Sequence, residues 1–296
     1  MISISGKEWK EYKTPKRLID KYSSDFDISE NLSKFYLTRN FSKEDILIRN
    51  IADNDLNGVS GEILIIPSAK VSDESNLAVF SFKDNDFIVV GLPYVTEEES
   101  YDIASKTILV KPKDYGESRI TIKDQSKVIL SPENKDRTFK EYKIINNALN
   151  TYSKKLLSDF DFSIPVNGII SSRFGKKRFI NNLPRSPHLA LDIAAPEGTE
   201  ILSPSDAVVI LTGEFFYAGN YVMLDHGMGL ISSYSHLSSI NVKEGENINK
   251  GMLLGTVGST GRVTGPHLHW SIYLNKQRVN PEIFLDKNFF LRIPNL

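Results

Sequence analysis

The chain has no cysteine. That absence removes disulfides, thiolate zinc sites, iron–sulfur clusters and cysteine nucleophiles together. Long apolar runs are also missing. The longest pieces, such as residues 63–66 and 87–90, are strand-sized, far short of the roughly 18 residues that span a bilayer. Neither sign of charge is in excess: 36 basic and 37 acidic residues give a net charge of -1. This argues against a nucleic-acid coat or a polybasic membrane binder, and no nucleic-acid partner is expected. The segment Met1 to Lys10 has no basic start followed by an apolar stretch, so no secretory signal is read there. Histidine is scarce: there are five, and the first 187 residues hold none. Any imidazole chemistry belongs to the C-terminal part.

What is present is ordinary globular material, with 40% hydrophobic and 25% charged residues over 296 positions. That is enough for one large domain or two smaller ones, each with a core. Residues 1–50 are lysine-rich and predict a short helical appendage. Within it, Trp9 and the run from Leu32 to Ile46 loosely resemble the N-terminus of RecJ-type single-strand exonucleases, without that family's metal-binding aspartates. Residues 58–130 carry short β-rich runs at 63–66, 77–82, 87–90, 107–110 and 119–122. They predict a small β domain, regulatory or substrate-binding, with a four-residue hairpin loop at 83–86. Residues 131–160 predict a connecting helix. Ser131 and Pro132 open it, and Phe139, Tyr142, Ile145, Leu149, Tyr152 and Leu156 form an apolar stripe. From 161 to 286 glycine becomes dense: thirteen of the 18 glycines lie at or after Gly168. This predicts an antiparallel β domain with tight turns, followed by a tail at 287–296. The fold class is therefore mainly β.

The chemistry-bearing residues sit in that last domain. His267-Leu-His-Trp-Ser-Ile-Tyr-Leu274 alternates strictly. Leu268, Trp270, Ile272 and Leu274 form a core face; His267, His269, Ser271 and Tyr273 form a polar one. The two imidazoles stand roughly 6.6 Å apart along a strand. His188 and Asp192, four apart, add a nitrogen and an oxygen donor of the kinds zinc accepts. One imidazole of the 267/269 pair would complete three protein ligands and leave a fourth position for water, the pattern of a catalytic zinc. Tyr234 and His236 read as one face of a further β-run, and Tyr234 and Tyr273 as groove-lining. His226, beside Gly227, reads as a turn-flanking residue with a structural hydrogen bond.

In order, Ser172-Arg-Phe-Gly175, His188-x-x-x-Asp192, Tyr234-Ser-His236-Leu, Gly258-Ser-Thr-Gly261 and Gly265-Pro-His267-Leu-His269-Trp270 resemble the M23 (LytM, lysostaphin-type) zinc metallopeptidases. Residues 61–122 resemble the β domain that precedes the catalytic domain in some of them. The resemblance implies a LytM-like catalytic fold at 161–286, with one Zn2+ held by His188, Asp192 and His269. It implies that His236 and His267 are the catalytic histidines. It also implies hydrolysis of peptidoglycan peptide cross-links, in the Gram-negative setting the D-Ala to meso-diaminopimelate bond, by a monomer in the cell envelope or periplasm. One position departs: Ala190 stands where the family usually has glycine. It removes no ligand, so the site is expected to survive. The alternative, a non-catalytic M23-like activator of a cell-wall amidase, is disfavoured because such relatives typically lose metal ligands. A sugar-phosphotransferase or lipoyl-type carrier, suggested by the hairpin rhythm of 242–255, leaves His188 and Asp192 unexplained.

Overall fold

The computed structural model describes residues 56–68, 78–82, 85–103, 106–122, 129–155, 157–158, 160 and 162–286. The expected helical appendage at 1–50, with its exonuclease likeness, and the tail at 287–296 lie outside them.

Among the described residues the fold is mainly β, with a single α-helix. The apolar runs become strands β1 (Leu56–Val59), β2 (Ile63–Ser68), β3 (Ala78–Phe82), β4 (Asn85–Gly91), β5 (Glu99–Ile103) and β6 (Lys106–Lys111). They form two small sheets, ordered β1-β6-β5 and β2-β4-β3. Ile88, Val89, Val90, Ile108 and Val110 are buried in them, which is where branched side chains pack best on a pleated surface. Asn85 pairs with Phe82 and Asp86 with Ser81. Two residues therefore separate these strands, not the four expected, because Asn85 and Asp86 extend the ladder.

Strand β7 (Glu117–Ile120) leaves these sheets and runs parallel to β9 (Lys176–Ile180). β10 (Leu183–His188) pairs antiparallel on the other side of β9. A second anchor is aromatic. The Tyr115 ring meets Phe174 edge-on at 5.6 Å between centroids and lies against Gly175. Gly175 has φ +85°, and a Cβ there would stand 2.2 Å from the Tyr115 ring. Only glycine fits both the space and the left-handed backbone.

Helix α1 (Pro132–Ala148) starts as read: the Ser131 side chain accepts the Asn134 N–H at 3.2 Å and Pro132 takes the first turn. It stops at Ala148, eight residues before the last member of the stripe, Leu156. Leu149 and Asn150 bond back to Ile145 and Asn147. The chain then docks on the 225–228 turn, where the Ser153 carbonyl accepts the Met228 N–H at 2.7 Å. The packed face also differs from the expected one. Phe139 is 57% and Tyr142 63% exposed, while Ile145, Ala148 and Leu149 pack on a core cluster around Tyr221 and Tyr273. The reason is polar. Glu141 accepts the Phe216 N–H at 2.8 Å and the Arg137 Nε–H at 2.6 Å. That anchor sets the roll of the helix and turns Phe139 and Tyr142 to solvent.

The largest sheet holds β8 (Ile169–Ser172), β11 (Leu191–Ala194), β12 (Glu200–Leu202), β13 (Ala207–Phe215), β14 (Gly219–Asp225), β15 (Leu230–Ile240), β16 (Asn247–Ile248), β17 (Leu253–Val257), β18 (His267–Leu274) and β19 (Gln277–Val279). Its main order is β16-β13-β14-β15-β18-β11-β8, with β17 joining β12 and β15, and β19 joining β18. The alternation of β18 holds on the core side: Leu268, Trp270, Ile272 and Leu274 are fully buried. Burying side chains of this size stabilises the fold by about 1.5–3 kcal/mol each. On the other side His267 and His269 reach a groove, but Ser271 and Tyr273 are also buried. The cluster on which α1 rests includes Tyr273.

Candidate metal centre

Antiparallel pairing of β11 with β18 sets Asp192 directly opposite His269 and Ala194 opposite His267. His188, the last residue of β10, reaches the same point. Asp192 Oδ1 lies 2.9 Å from His188 Nε2 and 2.7 Å from His269 Nδ1, and the two nitrogens are 3.3 Å apart. Donors about 2.1 Å from one tetrahedral ion stand about 3.4 Å from each other; the three atoms here lie close enough together that one ion could reach all of them. Ala190, the departure from the family pattern, is buried, and its methyl group does not keep the three donors apart.

Backbone carbonyls fix which ring nitrogen is bare. His188 Nδ1–H donates to the Arg173 carbonyl at 3.1 Å, with Ser172 Oγ at 3.2 Å, so Nε2 faces the cluster. His267 Nδ1–H donates to the Gly265 carbonyl at 2.8 Å and His236 Nδ1–H to the Thr260 carbonyl at 2.9 Å. Each thus keeps a bare Nε2, as a ligand or a base requires. The ring centroids of His236 and His267 are 5.0 Å apart, and His236 and His269 5.8 Å. His267 Nε2 is 3.9 Å from Asp192 Oδ1.

His236 arrives by a β-bulge. Tyr234 pairs with Val222 and Leu237 with Asn220, so Ser235 and His236 together oppose one residue of β14. His236 sits at φ +70°, a left-handed backbone that costs a non-glycine residue about 1–3 kcal/mol and collects at functional sites. Its N–H is held by the Ala218 carbonyl at 2.7 Å. The bulge breaks the alternation that placed Tyr234 and His236 on one face. Tyr234 is fully buried, its hydroxyl 2.9 Å from Ser232 Oγ, and does not line the groove. Tyr273 does line it, with Arg278 Nε–H donating to its hydroxyl at 3.1 Å.

Thr260 is held by the meeting of two glycines. A Cβ on Gly261 would stand 2.4 Å from the Gly219 nitrogen, and one on Gly219 2.4 Å from the Thr260 carbonyl carbon. Thr260 Oγ1 accepts the Asn220 N–H at 3.0 Å and donates to the Leu237 carbonyl at 2.8 Å. The motif Gly258-Ser-Thr-Gly261 thus supports His236, a role that its spacing alone did not reveal.

Protonation states suit a cation. Burial pushes the Asp192 carboxyl up, but His269 and His188 outweigh it and hold the group well below the usual carboxylate range. Burial lowers His269 to about 4 against the pull of Asp192. Burial, with His269 and His267 nearby, lowers His236 to about 3 against the Thr260 carbonyl. Near neutral pH Asp192 is a carboxylate and His269 a neutral imidazole, and a donor set of two histidines and an aspartate fits zinc. His226 stays outside, as expected of a structural residue. It is fully buried, bonded to the Asp206 carbonyl and to Ser232 Oγ, each at 2.8 Å.

The cluster opens on a groove of about 1120 Å³. One wall carries residues of β7, β9 and β10, another carries Thr138, Glu141 and Ile145 of α1. Arg178, Arg185 and Arg262 also line it. Reading the sequence passed these three over, because strand pairing and a loop unite them and no local pattern does.

Residues 186–281 match the model of peptidase family M23. The peptidoglycan DD-endopeptidase ShyA of Vibrio cholerae is 43% identical over 112 residues, 38% of this chain and 26% of that protein. The DD-carboxypeptidase/endopeptidase Mpg of Neisseria meningitidis is 45% identical over 94 residues, 32% of this chain and 22% of that one. The matched stretch thus spans about a quarter of the length of these curated relatives. A crystal structure from Pseudomonas aeruginosa assigned to peptidase M23 is 31% identical, with a TM-score of 0.61, and covers 77% of this chain and 94% of its own. The similarity extends through nearly the whole of that structure and, in sequence, runs through His188, Asp192, His236, His267 and His269; this chain belongs to peptidase family M23.

Proposed function

We propose that this chain is a zinc metalloendopeptidase that hydrolyses peptide cross-links of peptidoglycan. One observation carries the reading: three donor atoms within 4.8 Å of one another on His188, Asp192 and His269, beside two more imidazoles whose Nδ1 atoms are tied to backbone carbonyls. An activator of a separate amidase has no need of five such side chains in register. The names of the relatives, DD-endopeptidase and DD-carboxypeptidase, support a D-Ala to meso-diaminopimelate bond as the target and the cell envelope as the place of action. Among the described residues no helix is long and apolar enough to cross a membrane.

In this reading His188 Nε2, Asp192 Oδ1 and His269 Nδ1 hold one Zn2+. Zinc bound there supplies a Lewis acid for the scissile carbonyl and a water acidified to a pKa of about 7. His236 Nε2 and His267 Nε2 flank the reacting carbonyl. With zinc bound, one ring would serve as the proton acceptor, and the other would hydrogen-bond the oxyanion or return a proton to the leaving amine. The Thr260 and Gly265 carbonyls keep both rings in the tautomer that this needs. Residues 58–130 act in regulation or substrate binding, with β7 contributing to the groove wall, and the unit works as a monomer.

The test is metal analysis and digestion of purified cross-linked muropeptides with the full chain. About one zinc per chain and release of monomeric muropeptides are expected, with zinc lost in His269→Ala. A folded chain that takes up no zinc and leaves the cross-links intact would refute the proposal.

A further inference from the structure

The groove is far more basic than the chain. Overall the net charge is -1. Yet the carboxylates among the groove's lining residues are Asp192 and Glu141, against Arg178, Arg185, Arg262, Arg278 and Lys135. Asp192 belongs to the metal cluster. Glu141 is engaged by Arg137 and the Phe216 N–H.

Three of the arginines line the groove onto which the metal cluster opens. Arg178 on β9 and Arg185 on β10 are direct cross-strand partners. Like charges placed so oppose the pairing rather than help it. Arg262 follows Gly261, its guanidinium carbon 4.1 Å from the centre of the Tyr217 ring, and the charges of both other guanidinium groups act against its own. Arg178 is the most enclosed, its side chain 21% exposed. A guanidinium offers five N–H donors in a fixed fork. Among the described residues those of Arg178 meet one carboxylate oxygen, Asp192 Oδ2, at 3.7 Å, and its buried Nε has no partner. Folding has thus brought cations together against their repulsion and left the central one under-bonded. An anion between them would relieve both costs, and guanidinium groups match a planar carboxylate best.

We propose that Arg178, Arg185 and Arg262 form a subsite for a free carboxylate on the peptide substrate, borne by the residue that supplies the leaving amine. This rests on the peptidase reading above. Arg178 reaches to within 3.7 Å of a residue in the metal cluster, so a carboxylate held there sits next to the scissile bond. In a D-Ala to diaminopimelate cross-link, the carbon attached to the leaving nitrogen bears such a carboxylate. The acyl-side D-Ala has none, because its carboxyl group is in the bond.

The experiment uses the full, zinc-loaded chain and two probes. One is a D-Ala–diaminopimelate cross-linked muropeptide with that carboxylate free; the other is the same compound with it amidated. The free acid is expected to have a kcat/KM about 10- to 100-fold higher, the worth of charge-assisted hydrogen bonds. Arg185→Gln and Arg262→Gln should raise KM for the acid, leave kcat and zinc content near those of the parent chain, and leave the amide unaffected. In parallel, binding of both labelled probes to zinc-loaded His267→Ala is read by fluorescence anisotropy, which needs no turnover. Equal cleavage of acid and amide, or equal losses on both in the arginine variants, would overturn the subsite and leave the peptidase reading intact. No cleavage of either probe, with acid-selective binding that Arg262→Gln abolishes, would overturn the peptidase reading and keep the subsite. If neither probe binds, both fall. Should an arginine variant unfold, the acid-against-amide comparison on the unaltered chain still decides.

Discussion

Asp192 and His269 face each other across the β11–β18 ladder, and the aspartate Oδ1 stands 2.7 Å from the histidine Nδ1. Strand register sets the two residues opposite each other and so brings their side chains within reach. Asp192→Asn keeps the shape and removes the charge. It is expected to lower zinc affinity by at least about 10- to 100-fold, the size of effect seen when even an outer-shell partner is lost. A competitive chelator titration on the folded variant measures it. Zinc affinity equal to the parent chain would remove Asp192 from the ligand set.

The two remaining imidazoles should behave differently from the ligands. His236→Ala and His267→Ala are each expected to retain zinc and to lose about 10²- to 10⁴-fold in kcat, the usual share of a positioned acid or base. Metal content and turnover measured on one preparation check this. Loss of zinc in either variant would make that residue a ligand instead.

Gly261 meets Gly219 so closely that an added methyl group would press on the Gly219 nitrogen at 2.4 Å, and Gly261 also sits at φ +76°. Gly261→Ala should cost about 1–3 kcal/mol of stability. It should also lower kcat at unchanged zinc content, because the Thr260 carbonyl that orients His236 would move. A thermal melt and an activity assay separate the two effects.

His226 gives a pH dependence away from the site. Burial lowers its pKa to about 4, against the Asp206 carbonyl, from an ordinary value near 6.5. Below pH 6.5 the unfolded chain binds a proton that the folded chain refuses until about pH 4. Stability therefore falls as pH drops through that window, by about 3 kcal/mol from this group. Denaturant titrations at pH 7 and pH 4.5 measure the slope. His226→Gln should reduce it by that share, since glutamine does not titrate while His236 and His269 keep their own contributions, and an unchanged slope would remove His226 as a source.

The sequence made one strand almost fully legible. The period of two across 267–274 separated Leu268, Trp270, Ile272 and Leu274 from His267 and His269, because a half-buried strand must alternate. His188 and Asp192 could be picked out by donor type and spacing, but not the way they meet: His188 ends β10 and Asp192 lies on β11, strands of two different sheets. The bulge at His236 could not be read. It inserts one residue into the ladder and leaves no mark in composition, so Tyr234 was placed on the wrong face. The roll of α1 was also hidden. Its apolar stripe pointed to Phe139 and Tyr142, while the deciding contact is a carboxylate, Glu141, on a backbone N–H. The arginines of the groove escaped because their nearness is a property of the β9–β10 register and the loop after Gly261.

The parallel pairing of β7 with β9 bears on how this protein can be cut. A fragment beginning near residue 161 would keep every histidine and lose β7. The backbone N–H and carbonyl groups of β9 would then be unpaired along one side, an open template for another chain's strand. Such a fragment is prone to self-association, and its groove is missing part of a wall. Weak activity in it would report a damaged trough and sticky strands, not the removal of an activating module.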